Sequence, residues 1–185
     1  DAIIPTFKGT YDGNGYSIAY QASFTADDDN EEWGVFGTVS GTIKNLNLTN
    51  CSMTASGNDF TADIGLLCAY LNGATALITD CNIINGTINS TIATTQAFER
   101  VATGLLVGRM GQGKVQYSSV TGSVTGVGYV GGIVGQSTQG TVIGSSFVGS
   151  VTCSFDTGAA TEFWGGLFGT APGGYAGGII GYADN

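Results

Sequence analysis

The chain has no histidine. Ser-His-Asp and Cys-His catalytic arrangements, histidine acid–base steps and histidine metal sites are therefore excluded, and with them most hydrolase mechanisms. Basic residues are also scarce, 5 against 14 acidic ones for a formal net charge of -9, and they form no cluster that could follow a phosphate backbone. Nucleic acid is not expected as a partner. Charged residues are only 10% of the chain while hydrophobic ones are 42%, a balance that argues against disorder. No apolar run approaches the length of about 20 residues needed to span a bilayer. The opening Asp1-Ala-Ile-Ile-Pro5 lacks the basic start and apolar length of a signal peptide. If secreted, this sequence is expected to be already processed or part of a larger chain.

Four cysteines, Cys51, Cys68, Cys81 and Cys153, show no CxxC spacing, so structural zinc is not expected. An even count in a chain rich in Ser, Thr, Asn and Gly suits an oxidising, extracellular setting. One disulfide among Cys51, Cys68 and Cys81 is expected, because Cys153 falls two or more coils further on, beyond the roughly 7 Å limit on α-carbon separation.

What the chain does have is glycine, 32 residues against 2 prolines. The glycines lack the three-residue period of collagen and punctuate a recurring phrase: Gly34-Val-Phe-Gly37, Gly65-Leu-Leu-Cys68, Gly104-Leu-Leu-Val107, Gly132-Ile-Val-Gly135, Gly166-Leu-Phe-Gly169 and Gly178-Ile-Ile-Gly181. Recurrence at intervals of 31, 39, 28, 34 and 12 residues signals stacked repeats. A second segment follows the phrase and aligns on Ile43, Ile78, Val115 and Val142, with an apolar residue five positions later at Leu48, Ile83, Val120 and Phe147. A third lies around Met53, Ile88, Val124 and Val151.

Period-two alternation, β-branched residues and the absence of any sustained 3.6-residue spacing predict strands and little or no helix. Three short strands per repeat describe a triangular coil, so the expected fold is all-β: a single parallel β-solenoid of about five to six coils. The phrase is read as the first strand of each coil. Residues 1–33 would form an opening coil with an acidic loop, 34–165 four repeat coils and 166–185 a compressed final coil. Inward positions are expected at Phe36, Leu46, Leu48, Met53, Leu66, Ile83, Ile88, Leu105, Val120, Val124, Ile133, Phe147, Val151 and Leu167.

The stretch Phe7-Lys-Gly-Thr-Tyr-Asp-Gly-Asn-Gly-Tyr-Ser-Ile18, followed by Trp33-Gly-Val-Phe-Gly-Thr-Val-Ser-Gly-Thr-Ile-Lys-Asn-Leu-Asn-Leu48, resembles the start of surface proteins that carry GLUG motifs. The unit Gly122-Ser-Val-Thr-Gly-Val-Gly-Tyr-Val-Gly-Gly-Ile-Val-Gly135 resembles their repeat. The resemblance covers about residues 7 to 181 and implies an extracellular β-helix of the adhesin-like or stalk kind, with no ligand specified. Cys68 and Val107 stand where the phrase otherwise ends in glycine, and Thr91 to Val101 is an insertion.

Candidate chemistry is sparse. The acidic residues are read as scattered among turns, none repeated at one strand position, which leaves a polysaccharide-cleaving carboxylate pair as the least favoured reading. Asp27, Asp28, Asp29, Glu31 and Glu32 form an oxygen-rich loop that invites weak Ca2+ binding, but the spacing matches no full calcium loop. A solvated loop is the better reading, and no cofactor is expected. Gly126-Val-Gly128-Tyr-Val-Gly131 fits GxGxxG formally but has no following helix. Four sequons, at Asn47, Asn50, Asn85 and Asn89, mark N-glycan candidates. Asn50 and Asn85 each fall seven residues beyond an aligned isoleucine and should stack outward. An ice-binding face would need ordered threonines, and the threonine rows expected on these faces are irregular, so ice binding is not expected.

The expected function is a non-catalytic, secreted structural protein, glycosylated on its flanks, whose open ends associate head to tail into a fibre. An adhesin-like or stalk binding module of a larger surface protein is the alternative.

Overall fold

The computed structural model describes residues 2–26, 31–57, 61–92, 100–154 and 174–184. Every described element is a β-strand, and no helix long and apolar enough to cross a membrane occurs among these residues. The strands fall into four parallel sheets. The first contains β1 (Ile4–Phe7), β6 (Phe36–Val39), β11 (Cys68–Leu71), β15 (Val107–Met110), β19 (Val134–Ser137) and β23 (Ile180–Ala183) in that order. The second contains β2 (Thr10–Asp12), β7 (Thr42–Lys44), β12 (Leu77–Thr79), β16 (Lys114–Gln116) and β20 (Thr141–Ile143). The third is built from β3 (Ser17–Ile18), β4 (Gln21–Ala26), β8 (Asn47–Thr49), β9 (Ser52–Gly57), β13 (Asn82–Ser90), β17 (Ser119–Gly126) and β21 (Ser146–Cys153). The fourth contains β5 (Glu31–Trp33), β10 (Thr61–Gly65), β14 (Arg100–Gly104), β18 (Gly128–Gly131) and β22 (Gly174–Gly177). The chain visits the four sheets in rotation, and each circuit pairs with the circuits before and after it.

The aligned positions pair as the sequence predicts. Ile78 lies opposite Ile43 and Val115, and Val115 opposite Val142. Leu48, Ile83, Val120 and Phe147 form a second inward column, and Met53, Ile88, Val124 and Val151 a third. Of the expected inward residues, Phe147 and Val151 are half-buried in the last full circuit, Leu167 lies outside the described residues, and the others are buried. Stacking identical positions at about 4.8 Å lets each circuit bury its neighbour's apolar face, which no circuit could do alone.

The three-sided outline gives way to four sheets. The segment Thr42 to Leu48 is two strands, β7 and β8, because Ile43 and Leu48 both face the core although they are five residues apart. A period-two strand cannot satisfy an odd spacing. A left-handed residue absorbs the extra step: Asn45 (φ 55°), Asp80 (φ 53°), Tyr117 (φ 50°) and Gly144 (φ 58°) each follow a paired strand end. Asn and Asp tolerate this region better than other side chains, so Tyr117 is the outlier.

The Gly-apolar-apolar phrase is also relocated. It forms the corner between the fourth sheet and the first rather than a strand. Gly65, Gly104, Gly131 and Gly177 are level with one another, and Cys68, Val107, Val134 and Ile180 are level with Phe36. Cys68 and Val107 therefore do not replace a glycine; the corresponding positions one residue later are Gly37, Ala69, Gly108 and Gly135. The corner leaves no room for a side chain, since a Cβ on Gly34 would lie 2.6 Å from Gly65 O and one on Gly65 would lie 2.7 Å from Gly108 N.

Candidate functional site

The sequon asparagines gather along the third sheet. Asn47 is half-buried; its Nδ2 donates to Gly15 O (3.0 Å) and its Oδ1 accepts from Asn82 Nδ2 (2.9 Å). Asn82 Oδ1 in turn accepts from Ser119 N (3.0 Å), so one hydrogen-bonded ladder links four circuits. Asn50 and Asn85 are exposed, both left-handed (φ 54° and 56°), and Asn85 Nδ2 donates to Asn50 Oδ1 at 3.3 Å. They stack outward, as their common spacing predicts. Asn89 projects from the middle of β13 and is exposed.

The expected disulfide is absent: all four cysteines are free. Cys51 lies at the β8–β9 corner, Cys68 within the first sheet and Cys81 at the β12–β13 corner. These are three different positions of the circuit, so no two thiols stack on one another. Each instead donates to a carbonyl of the preceding circuit: Cys51 to Ile18 O (3.5 Å), Cys68 to Gly37 O (3.6 Å), Cys81 to Ile43 O (3.7 Å) and Cys153 to Gly128 O (3.6 Å). Loss of solvent raises all four thiols, Cys81 and Cys153 to about 11 and Cys68 well above its ordinary value.

Of the acidic loop, Asp27, Asp28 and Asp29 lie outside the described residues. Glu31 and Glu32 belong to β5, where both Glu32 oxygens accept from Thr38 Oγ1 (2.7 and 2.9 Å). No group of three or more candidate metal ligands occurs among the described residues. At the Asp12-Gly-Asn-Gly turn, the Asn45 amide, the Asn14 N–H and Lys44 hold the exposed Asp12 carboxyl below its usual range.

One constellation escaped the sequence reading. Glu32 and Asp63 share a strand position on neighbouring circuits, whereas the sequence suggested that no acidic residue repeats in this way. They face the first-sheet column Thr38, Tyr70, Arg109, Gln136 and Tyr182. Arg109 Nε and Nη2 both reach Asp63 Oδ2, at 2.8 and 2.7 Å, and its guanidinium lies 3.6 Å from the centroid of the Tyr70 ring. Further along, Tyr129 stacks on Tyr182 at 4.8 Å. Asp63 and Arg109 are 46 residues apart, so only the register brings them together. Each carboxylate is thus held by its own partner, Thr38 or Arg109. That arrangement ties the fourth sheet to the first.

The remaining feature is the pair of molecular ends. No family model, no curated protein and no solved structure matches this chain. The functional reading therefore rests on geometry. Among the described residues, β1, β2, β3 and β4 pair on one edge only, as do β20, β21, β22 and β23 at the opposite end. Ile4, Phe7, Ile18, Tyr20 and Phe24 are half-buried at the first end, and Val142, Phe147, Val151 and Ile180 at the second.

Proposed function

We propose that the chain is a single β-solenoid acting as a non-catalytic, secreted structural protein whose copies associate end to end into a fibre. The observation that carries this reading is the pair of open edges: among the described residues, parallel strands that pair on one side only, with half-buried apolar side chains at both ends. Such edges template further strands, and a head-to-tail contact between unlike ends generates an open filament. The recurrence of the Gly-apolar-apolar phrase at one corner in the described copies is the feature behind the likeness to GLUG-repeat surface proteins, and the copy at Gly166 lies outside the described residues. Exposed, stacked Asn50 and Asn85 are the sequons we assign to glycans, since the Asn47 amide is already engaged on both sides.

Sedimentation and negative-stain imaging across a concentration series test the proposal. Filaments that lengthen with concentration are expected; a monomer at every concentration overturns it. The alternative, an adhesin-like binding module, draws on Tyr70, Arg109 and Tyr182 of the first-sheet column with Tyr129 of the fourth sheet stacked on Tyr182, which set aromatic rings beside a charge pair. A monomer that binds cells or immobilised glycans, with binding lost on Tyr129→Ala, would favour that reading. Turnover of a polysaccharide, lost on Glu32→Gln, would favour an enzyme instead.

A further inference from the structure

The third sheet presents an outer face that neither the end-to-end contact nor the Asp63–Arg109–Tyr70 cluster uses. On its outer side, Ser23, Thr54, Asn89, Thr125 and Thr152 fall in one column. A second column, two residues earlier on each strand, runs from Gln21 through Thr87 to Ser150 in the same register. Between them the inward Met53, Ile88 and Val124 are buried, so both columns point away from the core. Side chains irregularly spaced along the sequence thus line up once the circuits stack, hydroxyls at eight of the ten positions and threonine at four of them, because the intervals between circuits differ while the pairing does not.

The two columns contain no charged residue in a chain of formal net charge -9, and no aromatic residue. That composition excludes partners one by one. Nucleic acid and anionic membrane need cations. Protein interfaces favour aromatic residues, Met and Arg and are depleted in Ser, while energetic anchors are seldom Ser or Thr. Sugar rings are gripped by aromatic faces, and neither column contains one; the exposed Tyr16 and Tyr117 stand beyond the edge of this face, at the corner with the second sheet. What remains is a two-dimensional array of hydroxyl and amide groups spaced at about 4.8 Å between strands and about 6.7 Å along them. Both spacings are comparable with the oxygen spacings on the surface of hexagonal ice, and short uncharged side chains can hold first-shell water in such positions.

We infer that this face binds the surface of ice, through ordered water held by the hydroxyl columns. The inference does not depend on the fibre, and it requires Asn89 to be unglycosylated, since a glycan there would cover the array. The test uses the full chain made in a host without N-glycosylation and a single ice crystal as probe. Faceted growth and a thermal hysteresis gap are expected. Both should be lost in a Thr54→Tyr, Thr125→Tyr double variant, which keeps good strand formers at outward sites, and retained in Gln116→Tyr on the second sheet. Far-ultraviolet circular dichroism unchanged from the parent protein confirms that the double variant is folded; an unfolded one is replaced by the single Thr54→Tyr. Unfaceted growth with no hysteresis overturns the inference. So does equal activity in parent and Tyr variants, co-sedimentation with crystalline cellulose or chitin in place of ice activity, self-association lost in the Tyr variants, or a glycan at Asn89 in protein from its native source.

Discussion

A single side chain, Tyr117, shows how the stack constrains its residues. Three residues of its column, Asn45, Asp80 and Gly144, suit a left-handed backbone, whereas Tyr117 holds φ 50° with its ring 59% exposed. Tyr117→Asn should therefore raise stability by about 1 kcal/mol in urea unfolding, the left-handed penalty for an ordinary residue. An unchanged or lower midpoint would mean that the ring's contact with the Gly144 backbone outweighs the strain. Arg109 is the opposite case. Its loss would leave Asp63 charged in a site where its side chain is 6% exposed. Arg109→Leu is expected to cost about 3 kcal/mol, and Asp63→Asn less, because the charge then left, on Arg109, is 19% exposed and keeps its contact with the Tyr70 ring. The thiols supply a pH test. Cys81 is buried and Cys153 half-buried, and loss of solvent raises their folded values from 9.0 to about 11. Above pH 9 the unfolded chain loses those protons first, so their contribution is complete below about pH 9 and is lost as pH rises toward 11. Unfolding midpoints should fall across that window and fall less in Cys81→Val. Thiol titration of native protein should label Cys153 before Cys51, Cys68 and Cys81, which should react only on unfolding; a mass two protons lower per bridge would reveal a disulfide instead.

At the scale of the element, the corners decide more than the strands. Gly132→Val places a Cβ 2.5 Å from the Phe147 ring, so a corner and a core column must both move. A loss of about 3 kcal/mol, the upper range for overpacking, is expected in thermal or urea unfolding, and neutrality would show that the last circuit is loosely packed. How much of this was legible in the sequence depends on the kind of signal. Ile43, Ile78, Val115 and Val142 pair as aligned because apolar periodicity reports the core directly. The break between β7 and β8 was visible as an odd spacing of five but was read as one strand, since no proline or glycine marks Asn45. The phrase was read as a strand because its two large apolar residues look like one; only the pairing of Gly65 with Gly104 and Gly131 places it at a corner. The Asp63–Arg109–Tyr70 cluster left no local trace at all, because its members meet through register across circuits of unequal length.

For the whole molecule, charge and edge pull in opposite directions. Copies carrying a formal charge of -9 repel one another, so end-to-end growth should depend on salt, which screens that repulsion over about 8 Å at physiological ionic strength. Filaments are expected to form at lower protein concentration in 0.5 M than in 0.05 M salt, an estimate set by Debye lengths of roughly 4 and 14 Å. The same logic identifies the variant that should stop growth. Val142 and Phe147 face inward on β20 and β21, half-buried because no described circuit covers those strands. Val142→Glu with Phe147→Glu would place two carboxylates where the next copy must bury apolar surface, and charged inward side chains are a known device for blocking edges. The variant should remain folded, since its terminal position costs little core, and should sediment as a monomer at concentrations where the parent chain forms filaments. Charges at the outward Lys114 position, introduced as Lys114→Glu, alter the net charge without touching an end and should shorten filaments only at low salt. If both variants assemble like the parent, the open edges are not the contact, and association must run through a lateral face.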